Sequence, residues 1–238
     1  MIATAEDAMR TLESLREPER VEVLPRFFKT GPGQYAEGDV FLGIRVPVLR
    51  KLSRELRETP LTELVTLLRS PYNEARLLAL FGMVEQYRRG NGEDRGKLYR
   101  AYLANIRWVN NWNLVDSSAE HIVGAYLWDG DRSILRRLAS SDSISERRIA
   151  ILSTFHFIRK HAYRDTLELA EMLLRDRVDL IHKAVGWMLR EVGNRDRKVL
   201  DGFLQRTHNI MPRTTLRYAI EKHSAEERKN YLRPVAGT

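Results

Sequence analysis

LVTLLRSPYNEARLLALFGM (64–83), ILRRLASSDSISERRIAILST (134–154) and AEMLLRDRVDLIHKAVGWMLR (170–190) share one layout. Each runs from an apolar helix end through a polar turn at Ser70, Ser140 or Asp176 into a second helix opened by a basic residue, Arg76, Arg147 or Lys183. A small residue follows at the matching place, Ala79, Ala150 or Gly186, where the lack of side-chain bulk lets neighbouring helices approach. Around these stretches helical periodicity dominates from Thr4 onward, and alternating strand patterns are nearly absent. Turn signals fall at 30–39 (TGPGQYAEGD), 88–94 (RRGNGED) and 128–131 (WDGD), and none is long enough to be a linker.

Helix pairs that recur at this length bury their apolar faces by stacking on one another. The expected fold is therefore all-α, a curved HEAT-like helical-repeat solenoid forming a single domain over residues 1–238, with the last few residues as a frayed tail.

The chain has 238 residues, 40 Lys and Arg against 32 Asp and Glu, a net charge of +8, and no cysteine. Lack of cysteine excludes disulfides, thiolate nucleophiles and Cys-based zinc or iron–sulfur sites. The N-terminal MIATAEDAMRTLESLREPER is charged throughout and has no apolar run. That predicts a cytoplasmic, nucleoid-associated protein without a membrane partner. The positive excess comes mainly from arginine, whose planar fork grips phosphate, so nucleic acid is the first partner to consider.

Stacked repeats would align Arg76, Arg147 and Lys183 into a ladder, extended by Arg148 and by Arg213 and Arg217 of MPRTTLRYAIEK. Each lies near a helix N-terminus, where the dipole already favours an anion. Pairing with Glu74, Glu146 or Asp179 is the structural alternative, and both are expected at different rungs.

Two segments carry candidate chemistry. In DLIHKAVGWMLREVG (179–193), capped by Asp179, the stripe Ile181, Ala184, Val185, Met188, Leu189 and Val192 marks the buried face. Trp187 falls off that stripe, on the flank of Lys183 and Arg190; a neighbouring repeat could still cover it. In VNNWNLVDSSAEHIVGAYL (109–127), Asn110 or Asn111 can cap a helix that sets Trp112 and Asp116 one turn apart. Equally, Asp116 can itself cap a shorter helix, with Ser117 and Glu120 completing a capping box. The histidines show no metal-ligand spacing, the 31–38 loop lacks a phosphate-loop ending, and Ser117 and Ser118 lack an elbow motif. Neither metal nor cofactor is expected. Tyr35 is a further candidate for ligand contact.

FFKTGPGQYAEGDVFLGIRVPVLRKL (27–52), NNWNLVDSSAEHIVG (110–124), ERRIAILSTFHFI (146–158), the 179–193 helix and MPRTTLRYAIEK (211–222) together resemble the AlkD family of bacterial DNA alkylation repair glycosylases. The likeness runs from about Phe27 to Leu232. It implies a solenoid that cradles duplex DNA on a concave basic face and releases N3- or N7-alkylated purines, recognised from the backbone side with the base left largely stacked. The family's two active-site indoles match Trp112 and Trp187, its catalytic carboxylate Asp116, and its phosphate-gripping arginine Arg148. Phe27 stands where the best-known members have tyrosine, and the 31–38 loop is longer than theirs. A monomer with no obligate protein partner is expected. The competing readings are a non-catalytic repeat protein that binds damaged or branched DNA, and a protein-binding scaffold. Simple backbone binding requires none of Trp112, Asp116 and Trp187.

Overall fold

The computed structural model describes residues 1–233, and the tail expected to fray lies outside them. The chain divides into two compact units, Met1–Tyr126 and Leu127–Thr238. The described residues are helical, with no strand among them and one isolated bridge between Val40 and Tyr72. No described helix is long and apolar enough to cross a membrane.

The first unit runs α1 (Ala5–Ser14), α2 (Pro18–Val21), α3 (Leu24–Phe28), α4 (Val46–Leu52), α5 (Leu61–Leu68), α6 (Asn73–Arg89), α7 (Gly92–Ala104) and α8 (Trp112–Ala119). Its centre is α6, buried on every side from Asn73 to Val84: from Leu77 to Val84 its residues are apolar or small all round rather than along one stripe, and the polar residues of its first turn, Asn73, Glu74 and Arg76, are buried with bonded partners. Helices α4, α5 and α8 pack against it. Between α3 and α4 the chain loops out through 30–38 and returns extended across the start of α6. There Asn73 N–H donates to Val40 O at 2.8 Å, and the buried Glu74 carboxylate accepts from Leu42 N (3.0 Å) and Gly43 N (2.8 Å). Gly43 turns this return with φ 86°, and a Cβ there would meet Glu17 O at 2.3 Å, so only glycine fits.

The second unit runs α9 (Ser133–Ala139), α10 (Ile144–Ser153), α11 (Phe155–Arg159), α12 (Arg164–Leu173), α13 (Asp179–Gly193), α14 (Arg197–Thr207), α15 (Arg213–Ala219) and α16 (Ala225–Leu232). The three repeat stretches are the helix pairs α5–α6, α9–α10 and α12–α13, each pair in mutual contact. Ser70, Ser140 and Asp176 fall between the paired helices, and Ala79, Ala150 and Gly186 are all buried. The whole predicted stripe of α13, Ile181 to Val192, is buried, and Trp187 stays partly exposed.

One local expectation is corrected. Asp179 does not cap α13: the N-cap is Val178, and Asp179 is the first helical residue. Asp176 has taken the turn-closing role by accepting from Val178 N at 2.8 Å. Asp179 is left to bind Lys183 Nζ at 2.7 Å and Thr214 Oγ1 at 3.1 Å. The Lys183 ammonium holds this carboxyl below its ordinary range.

Helix α13 packs on α15 at Gly186. A Cβ at this position would lie 2.5 Å from Tyr218 Cβ and 2.6 Å from Thr215 O. Backbone cannot yield as a flexible side chain can, so Gly186→Ala is expected to cost about 1–3 kcal/mol of stability, read from the urea midpoint of the intact chain. An unchanged midpoint would contradict the close approach of the two helices.

Candidate active site

The site in the first unit is built outward from one buried carboxylate. Asp39 ends the glycine-rich loop with its side chain only 1% exposed, and Arg76 pairs with it at 2.5 Å, itself 4% exposed. Three amides complete its shell: Asn73 Nδ2 at 3.0 Å, Asn110 Nδ2 at 3.0 Å and Asn111 Nδ2 at 2.7 Å. Arg76 also donates to the Ser70 and Pro71 carbonyls at 3.0 and 3.1 Å. Isolated, such an anion would be strongly destabilised by loss of water; here a guanidinium and three amides replace the water.

This network sets the start of α8. While Asn111 Nδ2 holds Asp39, its Oδ1 accepts from Trp112 N at 2.7 Å and caps the helix. Asn113 and Asn73 exchange amide hydrogen bonds of 2.8 and 3.4 Å. On the opposite side, Ser118 Oγ donates to Leu114 O at 2.6 Å and accepts from the Tyr102 hydroxyl at 3.0 Å, binding α8 to α7. Burial pushes the Tyr102 phenol well above its ordinary range, so it stays a neutral donor. Beyond Ala119 the helix widens into a π-helical turn, Glu120–Gly124, an irregularity that recurs near functional sites.

Thus fixed, α8 presents Trp112 and Asp116 to one cavity of about 320 Å³, walled also by Phe27, Phe28, Phe41 and Glu74. The Trp112 indole stacks on Phe28 (5.3 Å between centroids) and meets Phe27 edge-on at 5.8 Å; Phe28 stacks in turn on Phe41 at 4.8 Å. Phe27 is 62% exposed at the rim. Two carboxylates thus line the cavity at different degrees of burial. Glu74 is buried, desolvation raises its pKa, and the Leu42 and Gly43 amides oppose that shift. Asp116 is only half-buried, in mid-helix. The alternative in which Asp116 caps a shorter helix is therefore set aside. Tyr35 is half-buried in the loop and does not line the cavity.

In the second unit Trp187 meets Phe155 edge-on at 5.8 Å, and the Arg159 and Arg195 guanidinium groups lie 4.4 and 5.6 Å from the Phe155 centroid. Trp187 is thus partly exposed beside Phe155, and the two guanidinium groups lie at the Phe155 ring. At several rungs of the expected ladder carboxylates and carbonyls of the chain hold the basic groups, the alternative expected beside phosphate contact: Lys183 has its expected partner Asp179, while Asp39 and Asp176 stand in place of Glu74 and Glu146 at Arg76 and Arg147. Arg76 is held as described. Arg147 pairs with Asp176 at 2.6 Å and donates to the Ser141 and Asp142 carbonyls at 2.8 and 2.9 Å. Arg148 is 6% exposed and donates to Leu180 O at 2.5 Å. Arg190 pairs with Glu221. Lys183 is partly exposed in its pair with Asp179, while Arg213 and Arg217 are exposed, Arg213 donating to Leu232 O at 2.6 Å. Sequence reasoning missed Asp39, Phe28 and Phe41. The FF pair and the following DVF were visible, but only their folding onto α6 and α8 gives them a role. Among the described residues no group of His, Asp and Glu has the makings of a metal site.

Compared with known proteins, residues 8–223 match the family model described as DNA alkylation repair enzyme. A solved structure, a predicted DNA alkylation repair enzyme from Enterococcus faecalis, superposes with a TM-score of 0.67 at 15% identity, covering 88% of this chain and 97% of that one. At that identity the superposition shows the shared fold. No curated protein matches significantly.

Asp39→Ala would leave the Arg76 guanidinium buried without its counter-ion and three amides without an acceptor. It is expected to cost about 3–5 kcal/mol in chemical denaturation, where a buried pair loses one member, and to shift Trp112 emission. A loss below about 1 kcal/mol, the scale of a surface pair, would contradict the hub.

Proposed function

The chain belongs to the DNA alkylation repair enzyme family, and from that premise we propose that it is a monofunctional DNA glycosylase. It hydrolyses the N-glycosidic bond of cationic N3- or N7-alkylated purines in duplex DNA. The observation that carries this reading is the pairing of Asp116 with Trp112 in one aromatic-walled cavity.

Alkylation at N3 or N7 gives the purine a positive charge, so the base departs as a neutral molecule and the glycosidic bond is already weak. As it breaks, positive charge grows on the deoxyribose, and a preorganised carboxylate beside the sugar lowers that barrier. Asp116 is the proposed group. It also orients the water that attacks C1′, whose proton is released as the abasic hydroxyl forms. The face of Trp112 offers its negative quadrupole to the same cation and keeps bulk water out. The stack on Phe28 and Phe41 supports this indole, and Phe27 stands at the rim where it can meet the nucleotide.

In the second unit Trp187 is the proposed second DNA-facing indole, as the resemblance implies. Among the basic candidates, Lys183, Arg213 and Arg217 suit phosphate contact through their exposure. Arg148, bonded to Leu180 O, is proposed to act chiefly by positioning. A HEAT-like solenoid, acting as a monomer on damaged duplex, is the architecture proposed to carry these groups.

The test is base release from duplex containing 7-methylguanine or 3-methyladenine. The wild type is expected to release the base, and Asp116→Asn to lose about 10²–10³-fold in single-turnover rate, the size of one lost transition-state charge contact, with DNA affinity within a few-fold. Equal rates for the two proteins would remove the assignment of Asp116. Binding to damaged duplex without release by the wild type would favour the non-catalytic reading.

A further inference from the structure

A second cavity in the first unit, of about 190 Å³, lies beside the first. The two share Ser117, the residue after Asp116. Arg50, Arg54, Arg88, His121 and Phe81 also line it. Glu85 is the acidic residue in its wall, and it pairs with Arg88 at 3.0 Å. Arg50 and Arg54 are both exposed, and neither has a carboxylate partner among the described residues. The Arg50 guanidinium carbon lies 4.4 Å from the centroid of the buried Phe81 ring. That contact steadies the group while its N–H edges stay unclaimed.

Arg50, on α4, and Arg54, in the 3-10 turn Ser53–Leu56, thus bring two positive charges to one small cleft. Ser117 adds a hydroxyl from α8. The repeat-based ladder did not include these arginines, because they stand outside the repeated helix openings. A guanidinium fork matches two oxygens of a phosphate, and its charge does not titrate away. In DNA the phosphodiester is covalently joined to the sugar, so an anion seated against Ser117 would set a deoxyribose near the neighbouring Asp116.

We propose that this cleft seats a backbone phosphodiester of the DNA strand acted upon, with Arg50 and Arg54 as its main ligands and Ser117 as a further donor. The proposal rests on the glycosylase reading for the position of the sugar. Its binding claim can be measured apart from catalysis.

The experiment measures affinity of the full chain for duplex containing 7-methylguanine across a salt titration. The proteins are wild type, the double variant Arg50→Gln/Arg54→Gln, and Arg54→Glu. Arg54 makes no polar bond within the described residues, so the last variant keeps the fold while reversing a charge. The double variant is expected to bind about ten- to a hundredfold more weakly, the effect of losing charge-assisted hydrogen bonds, and its salt slope to fall by about one. Arg54→Glu should weaken binding in the same direction.

A second arm replaces single phosphodiesters on either side of the lesion with uncharged methylphosphonate. At one position the wild type should lose as much affinity as the double variant, and the double variant should lose nothing further there. That coupling identifies a DNA phosphate rather than a site for free phosphate. An unchanged salt slope, or no position that couples, overturns the proposal. Base release reports separately: coupling without release keeps the phosphate seat and removes the glycosylase reading, and release without coupling does the reverse.

Discussion

The first unit depends on one anion out of water. The Asp39 carboxylate takes a guanidinium from α6 and amides from Asn73, Asn110 and Asn111, and so joins segments up to 72 positions apart in the chain. In a poorly polarisable interior each of those bonds is strong while the set is complete, and each group is costly if the set is broken. The carboxylate therefore acts as a register mark. The loop, the opening of α6 and the approach to α8 can satisfy their polar groups in one arrangement.

What that arrangement fixes is the first turn of α8. Asn111 is both a ligand of Asp39 and the cap of the helix, so the direction in which Trp112 leaves the backbone follows from the network. Asp116 follows one turn later on the same side, and Ser117 next to it reaches the basic cleft. Polar bonds at the buried Asp39 thereby place an aromatic face, a carboxylate and a hydroxyl within about 7.5 Å along one helix. In the proposed reaction these correspond to a cation-stabilising wall, the anion opposite the growing sugar charge, and one donor to the adjoining phosphate.

Much of this was legible in the sequence, though unequally. The helix pairs were, because apolar period and turn residues are local signals; α13 ends at the predicted Gly193 and begins one residue before the start implied by a cap at Asp179. The facing of Trp112 and Asp116 was legible too, since residues one turn apart share a side. The capping of α8 was open between Asn110, Asn111 and Asp116, because each is a good cap and only the distant Asp39 decides among them. The partners of the ladder's basic residues were the least legible part. A basic residue in a helix's first turn looks alike whether it awaits a phosphate or meets an aspartate from another segment. Asp39 for Arg76 and Asp176 for Arg147 lie 37 and 29 positions away. Net charge could not reveal that these guanidinium groups serve the fold, nor that Arg50 and Arg54, outside the ladder, line a cleft beside Ser117. The π-helical turn after α8 left no trace in composition or period.

The central claim is that Asp116 is stationed to stabilise positive charge on a sugar. The most direct measurement compares affinity for two duplexes, one whose target nucleotide carries a cationic pyrrolidine in place of deoxyribose and one carrying a neutral tetrahydrofuran. The wild type should prefer the cationic duplex by at least about tenfold, the value of one favourable ionic contact near 1.4 kcal/mol, and Asp116→Asn should abolish the preference. Equal affinity of the wild type for the two duplexes, or a preference that survives the substitution, would contradict the account.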